Sequence, residues 1–275
     1  MIYETQPAIA AAALGACWVF EAVIPAAHPR EGVGGIRVRH VLLGLLNAIP
    51  AIGIAAGLAC LDGVSAFFGG GALPSLGLPT WGRVLLAFLI LDLGQYTCHV
   101  LMHKAPILWR LHAVHHHAER FESTAAFRFH TLEIVAHGLS LAPLVIFLGV
   151  RVHDIAIYNA VLLPMSLFHH ATVRMRGWLD RGLGWVVITP GLHRVHHSRW
   201  QPQTDSNYSA VLSVWDRVFG TLTRAERPEA IPVGLDGFEP EHTETLRGML
   251  GTPFSSARAE LGSPPEGERE SGGRV

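Results

Sequence analysis

Seventeen of the 275 residues are histidine, and most fall into tight sets: His99-x3-His103, His112-x2-His115-His116 and His193-x2-His196-His197. Residues three and four apart share one face of a helix, so each set aims two or three imidazoles at one spot. Neutral imidazole is a transition-metal ligand, and three convergent sets can hold more than one ion. The donor type alone suits iron, zinc or copper equally well. Cys17, Cys60 and Cys98 all lie in apolar runs and form no C-x2-C pair, so they offer neither a disulfide framework nor a zinc ribbon. The chain also has no dinucleotide-binding glycine fingerprint, haem-attachment motif or iron-sulfur cysteine set. Electrons for any redox chemistry therefore come from a partner, either a small redox protein or a diffusible reductant.

The elements that position these histidines read as membrane helices. The chain is 49% hydrophobic and 16% charged, with a mean hydropathy of +0.31. Its apolar residues gather into runs of about 7 to 27, 41 to 61, 81 to 103, 132 to 150 and 154 to 171, each near the roughly 20 residues that cross a bilayer. The expected fold class is an all-α integral membrane protein: a small transmembrane helical bundle under a cytosolic, histidine-rich metal-binding cap. A formal charge of -1 with no basic stripe argues against nucleic acid as a partner. The first run reads as a retained span rather than a signal peptide, because Met1 to Gln6 has no Lys or Arg and Glu21 interrupts the run.

Lys and Arg set the orientation. Arg30, Arg37 and Arg39 follow the first run, and Lys104, Arg110, Arg120 and Arg128 follow the third, whereas about 62 to 80 holds none. The first two segments read as cytoplasmic and the glycine-rich loop at Gly69 to Gly71 as external, which gathers the histidine sets on the cytoplasmic face. The last two runs, separated by Arg151-Val152-His153, read either as two crossings or as a shallow re-entrant hairpin. Trp178 to Ile188 reads as an interfacial amphipathic segment and 198 to 225 as the polar cap. The domain division is 1-80 for the N-terminal helices, 81-225 for the catalytic domain and 226-275 for a C-terminal extension, disordered after about 255.

From Asp92 to Thr221 the chain resembles the fatty acid hydroxylase and sterol desaturase family of membrane non-haem di-iron enzymes. The resemblance rests on Asp92-x3-Tyr96-x2-His99-x3-His103, Leu108-Trp109-x2-His112-x2-His115-His116, Arg128-x-His130 with Glu133, and Phe168-His169-His170. It continues through Thr189-Pro190-x2-His193-Arg194-Val195-His196-His197, Asn207-Tyr208 and Trp215 to Thr221. It implies a helical bundle with the metals between membrane and cap, two iron ions as cofactor, and O2 as co-substrate. His99, His103, His112, His115, His116, His193, His196 and His197 match the family's eight-histidine pattern as metal ligands, with His169 as a ninth. Some members carry a further histidine four residues before the ninth. Met165 stands there in this chain, and His130 and His170 are the candidates to fill the vacancy or to support the ligands. Ligand histidines usually donate their second ring N–H to an oxygen. Asp92, seven residues before His99 on the same helix face, is the first candidate for that support, with Glu133 and Asp216 as weaker ones. His117 reads as a neighbour and His137 as a hydrogen-bonded core residue, while His28, His40, His153 and His242 receive no role.

The function this implies is O2-dependent hydroxylation of a C–H bond in a membrane lipid of fatty acyl, sterol or ether-lipid type. Desaturation by the same site is the alternative. Non-redox metal binding or transport is more remote, since the runs carry few polar groups with which to pass an ion. Asn207-Tyr208-Ser209 matches a glycosylation sequon, but the topology places it in the cytoplasm, where the match has no use.

Overall fold

The computed structural model describes residues 2–26, 32–238 and 243–255. His28, His242 and nearly all of the tail expected to be disordered lie outside those bounds. The described residues are almost wholly helical, with no strand beyond three isolated antiparallel bridges.

Helices α1 (Ile2–Val23), α2 (Val33–Phe67), the short α3 (Ala72–Ser75) and α4 (Thr80–Lys104) open the chain. After α5 (Pro106–His116) come α6 (Thr131–Pro143), which a wider π turn extends to Leu148, and α7 (Val152–His170). Among the described residues four segments are long and apolar enough to cross a membrane: Thr5–Val23, Val33–Phe67, Thr80–Lys104 and Thr131–Leu148. They turn large apolar side chains outward, among them Val19, Phe20, Leu45, Ile49, Ile52, Leu139 and Phe147. Such an apolar girdle is stable against hydrocarbon and costly in water. Helix α7, which carries His153, Asp154, His169 and His170, does not meet the hydropathy requirement of a lipid-facing span. It packs instead against α1 and α4.

The two runs read as either a hairpin or two crossings reach the same depth as their neighbours. Gly149, at their tip, lies against Gly70 and Gly71 at the end of α2. There a Cβ on Gly149 would fall 1.8 Å from the Gly70 carbonyl oxygen, and one on Gly71 would fall 2.4 Å from the Gly149 nitrogen. Both glycines have positive φ, 71° and 80°, so only glycine meets the backbone and contact requirements together. The tip therefore packs at the same end of the bundle as the end of α2.

Arg37 and Arg39 of the basic segment lie within α2, which begins at Val33. At 35 residues this helix is roughly 52 Å long and outruns a hydrocarbon core of about 30 Å. Its first turns form part of the cap: Arg37 bonds Glu21 and Glu122, and His40 meets Glu122 and Thr124. His40, given no role from sequence, is a buried tie between α2 and the 3-10 turn Ser123–Phe127.

The cap holds α8 (Gly177–Leu183), α9 (Pro190–His196), α10 (Gln201–Thr204), α11 (Val214–Val218) and α12 (Leu246–Gly251). Trp178, Trp185 and Val186 on and after α8 are exposed, as an interfacial segment requires. Asn207, in the left-handed region at φ 51°, is buried and bonds Leu192, Thr223 and the Thr223 amide. It pins the cap loop and is inaccessible to a glycosyltransferase.

Candidate metal centre

Each histidine set arrives on a helix end whose local sequence stops it there. Helix α4 ends at Lys104 because Pro106 disfavours a helical conformation at Ala105 before it, and Pro106 then opens α5. Thr189 caps α9, its hydroxyl accepting the Leu192 amide at 3.3 Å, with Pro190 at the first helical position. Two groups of converging side chains result. The ring nitrogens of His99, His103, His112, His116 and His196 lie within 4.8 Å of one another, as do those of His115, His170, His193 and His197. All nine residues are buried. His116 and His197 stack, ring centre to ring centre, at 4.4 Å and join the two groups.

The hydrogen bonds around these rings test whether they suit a cation. His99 Nδ1 donates to the Tyr208 carbonyl at 2.7 Å, His112 Nδ1 to Glu133 at 2.6 Å, and His196 Nδ1 to the Ser206 carbonyl at 2.7 Å. In the second group His170 Nδ1 donates to the Ser166 carbonyl at 2.7 Å. A neutral imidazole carries one N–H, so in each of these rings Nε2 is a bare lone pair turned inward. The Nε2 atoms of His99 and His112 face each other at 3.1 Å, and His196 Nε2 has no partner. Facing lone pairs at that distance repel unless an electrophile lies between them, and the site fits a metal ion on that ground. Burial and neighbouring imidazoles hold His115, His116, His193 and His197 well below the usual histidine range, and burial lowers His196 to about 3. These five rings are thus neutral and ready to donate.

The structure sorts the other sequence-derived candidates. His169 lies outside both groups and packs on His193, ring centre to ring centre at 4.0 Å; its neighbour His170 joins the second group. His130 is not near either: its Nδ1 caps α6 by accepting the Leu132 amide, and its Nε2 donates to the Leu250 carbonyl. Both nitrogens are spent. His117 packs on Phe238, and His137 reaches Cys98 and, at 3.8 Å, Glu133. Glu133 supports His112 directly. Asp216 acts one step removed, accepting the amides of Tyr208 and Ser209 and the Thr221 hydroxyl, and so fixes the loop whose carbonyl holds His99.

Asp92 does not support a ligand. Seven residues of helix separate it from His99 by about 10 Å along the axis. It accepts instead from Tyr158 at 2.9 Å, the Leu212 amide at 3.1 Å and Trp215 Nε1 at 2.8 Å, tying α4 to α7 and the cap. Asp92→Ala leaves one buried and two part-buried donors unpaired and is expected to destabilise the fold by about 2–4 kcal/mol, read as a lower Tm in detergent. Sequence reasoning missed the carbonyls of Tyr208, Ser206 and Ser166. Asp205, 3.4 Å from His103 Nδ1, and Phe129, stacked on His115 at 4.5 Å, were also missed.

Fold and site together define a helical, membrane-type protein with a polyhistidine metal centre between its spans and its cap. The model of the fatty acid hydroxylase family matches residues 84–221, half of the sequence, and the chain belongs to that family. It is 34% identical over 182 residues to an ornithine lipid hydroxylase of Rhizobium tropici, covering 63% of this chain and 50% of that protein. To the alkylglycerol monooxygenase of Homo sapiens it is 34% identical over 159 residues, covering 56% of this chain and 34% of that protein. A cholesterol 25-hydroxylase-like protein of Danio rerio is 29% identical over 140 residues, covering 49% and 53%. The chain thus spans about half or less of the relatives it matches. No solved structure matches it.

Proposed function

We propose that the protein hydroxylates a C–H bond of a membrane lipid, using O2 and two iron ions. His99, His103, His112, His116 and His196 would hold one iron, and His115, His170, His193 and His197 the other. Irons held there and reduced by an external donor would supply the oxidising power by which one oxygen atom of O2 enters the C–H bond and the other leaves as water. The protein's own part is to bind and orient. A cavity of about 440 Å³ runs among α1, α4, α6 and α7, lined by aliphatic residues such as Ile9, Leu91, Leu141 and Leu162, and ends on His99, His112, His115 and His193. That cavity carries the proposal. It suits an alkyl chain.

Hydroxylation is favoured over desaturation because the relatives named above are hydroxylases or a monooxygenase by name. Ion transport is disfavoured: of the intramembrane polar groups, Glu21 and Asp92 are saturated with hydrogen bonds to the protein. Lipid extracts of cells with and without the protein are the test. A lipid heavier by one oxygen is expected, and an alkene in its place would move the protein to the desaturases.

The arginines at the start of α2 and after α4 support a cytoplasmic catalytic face. In a Cys60→Ala background, an impermeant thiol reagent on intact cells is expected to label Ser75→Cys, an exposed position on α3, and to spare Glu226→Cys, exposed on the cap. The reverse pattern would invert the orientation.

A further inference from the structure

The adjacent histidines at the end of α7 divide the labour of the site. Nδ1 of His170 is held by the Ser166 carbonyl, and its Nε2 lies 3.1 Å from that of His115 and 3.0 Å from that of His193. It belongs with the metal ligands. His169 is only 3% exposed, yet its nitrogens do not converge with the group. It lines the lipid cavity. One ring nitrogen faces the Ala210 carbonyl, and Nδ1 is buried with no partner. A neutral ring that donates to a carbonyl through Nε2 has a bare acceptor at Nδ1. An unpaired buried acceptor is costly, and this one belongs to a residue that lines the cavity. Across the same cavity Gln95, one turn before His99, makes no hydrogen bond to the protein among the described residues and is, with Gln6, Asn159, Ser166 and Ser209, one of the polar groups in a mostly apolar wall.

We propose that His169 is not a metal ligand but a specificity residue, accepting a hydrogen bond from a hydroxyl or amide N–H of the substrate, with Gln95 as the second contact. The substrate is then a lipid bearing a hydrogen-bond donor close to the carbon that is oxidised, rather than one oxidised in the middle of a bare alkyl chain. This inference rests on the lipid-hydroxylase reading.

Two measurements on the full-length protein in detergent test it. Metal content separates the neighbours: His169→Phe and His169→Gln are expected to keep wild-type metal, while His170→Ala loses about half. Binding to metal-free protein then uses 1-O-hexadecylglycerol and its dimethyl ether, which has the same chain and no donor. Wild type is expected to prefer the diol about 10-fold, the loss of one hydrogen bond to a buried acceptor being worth roughly that much. His169→Phe should abolish the preference and His169→Gln, which restores an acceptor, should keep much of it. Metal loss in both His169 variants, or an unchanged preference in His169→Phe, overturns the proposal. Wild type that binds neither probe would overturn it together with the lipid reading, whereas wild type that binds both equally would overturn the donor requirement alone.

Discussion

Replacing His112 by alanine is expected to empty much of the metal centre, whereas His130→Ala leaves the metal content unchanged. His112 Nε2 faces the Nε2 atoms of His99 and His116 at 3.1 and 3.2 Å, so one truncation removes the donor shared by the most neighbours in its group. His130, although within the stretch that resembles the family, spends both nitrogens on capping α6 and on the Leu250 carbonyl. Metal analysis after purification reads the result directly. Equal loss in the two variants would mean that the centre collapses through misfolding rather than through a missing ligand, and equal retention would remove His112 from the ligand set.

Glu133→Ala is expected to weaken metal binding by about 10- to 100-fold, the usual effect of losing a carboxylate behind a ligating imidazole. The carboxylate is fully buried, and its 2.6 Å bond to His112 Nδ1 sets both the tautomer and the ring orientation. Glu133→Gln is the informative companion. It keeps an oxygen that can accept the Nδ1 proton but gives up the negative charge, so it should retain more affinity than alanine. Competition with a chelator of known affinity measures both. If the two variants bound metal as tightly as wild type, the orienting role of Glu133 would be wrong.

Much of this centre was legible because its spacing is local. Histidines three and four apart must share a helix face wherever the helix goes, and Pro106 and Pro190 mark where α5 and α9 begin. What was hidden depends on contacts between distant segments. Main-chain carbonyls of Tyr208, Ser206 and Ser166 hold three imidazoles, and a carbonyl has no residue-type signature. The choice between His169 and His170 turns on which face α7 presents at its last turn, which neighbouring residues in a sequence do not reveal. Asp92 misled for the opposite reason: two helical turns keep a residue on one face but carry it too far along the axis to reach His99. The pattern of Lys and Arg showed which segments are basic but not that α2 extends through one of them into the cap.

The most direct measurement supplies the purified, iron-loaded protein with a reductant, membrane lipid and isotopically heavy O2, and weighs the product. A lipid carrying one heavy oxygen is expected, with turnover abolished in His99→Ala, His115→Ala and His196→Ala. Oxygen drawn from water, or wild-type turnover in those three variants, would contradict oxidation at the histidine centre.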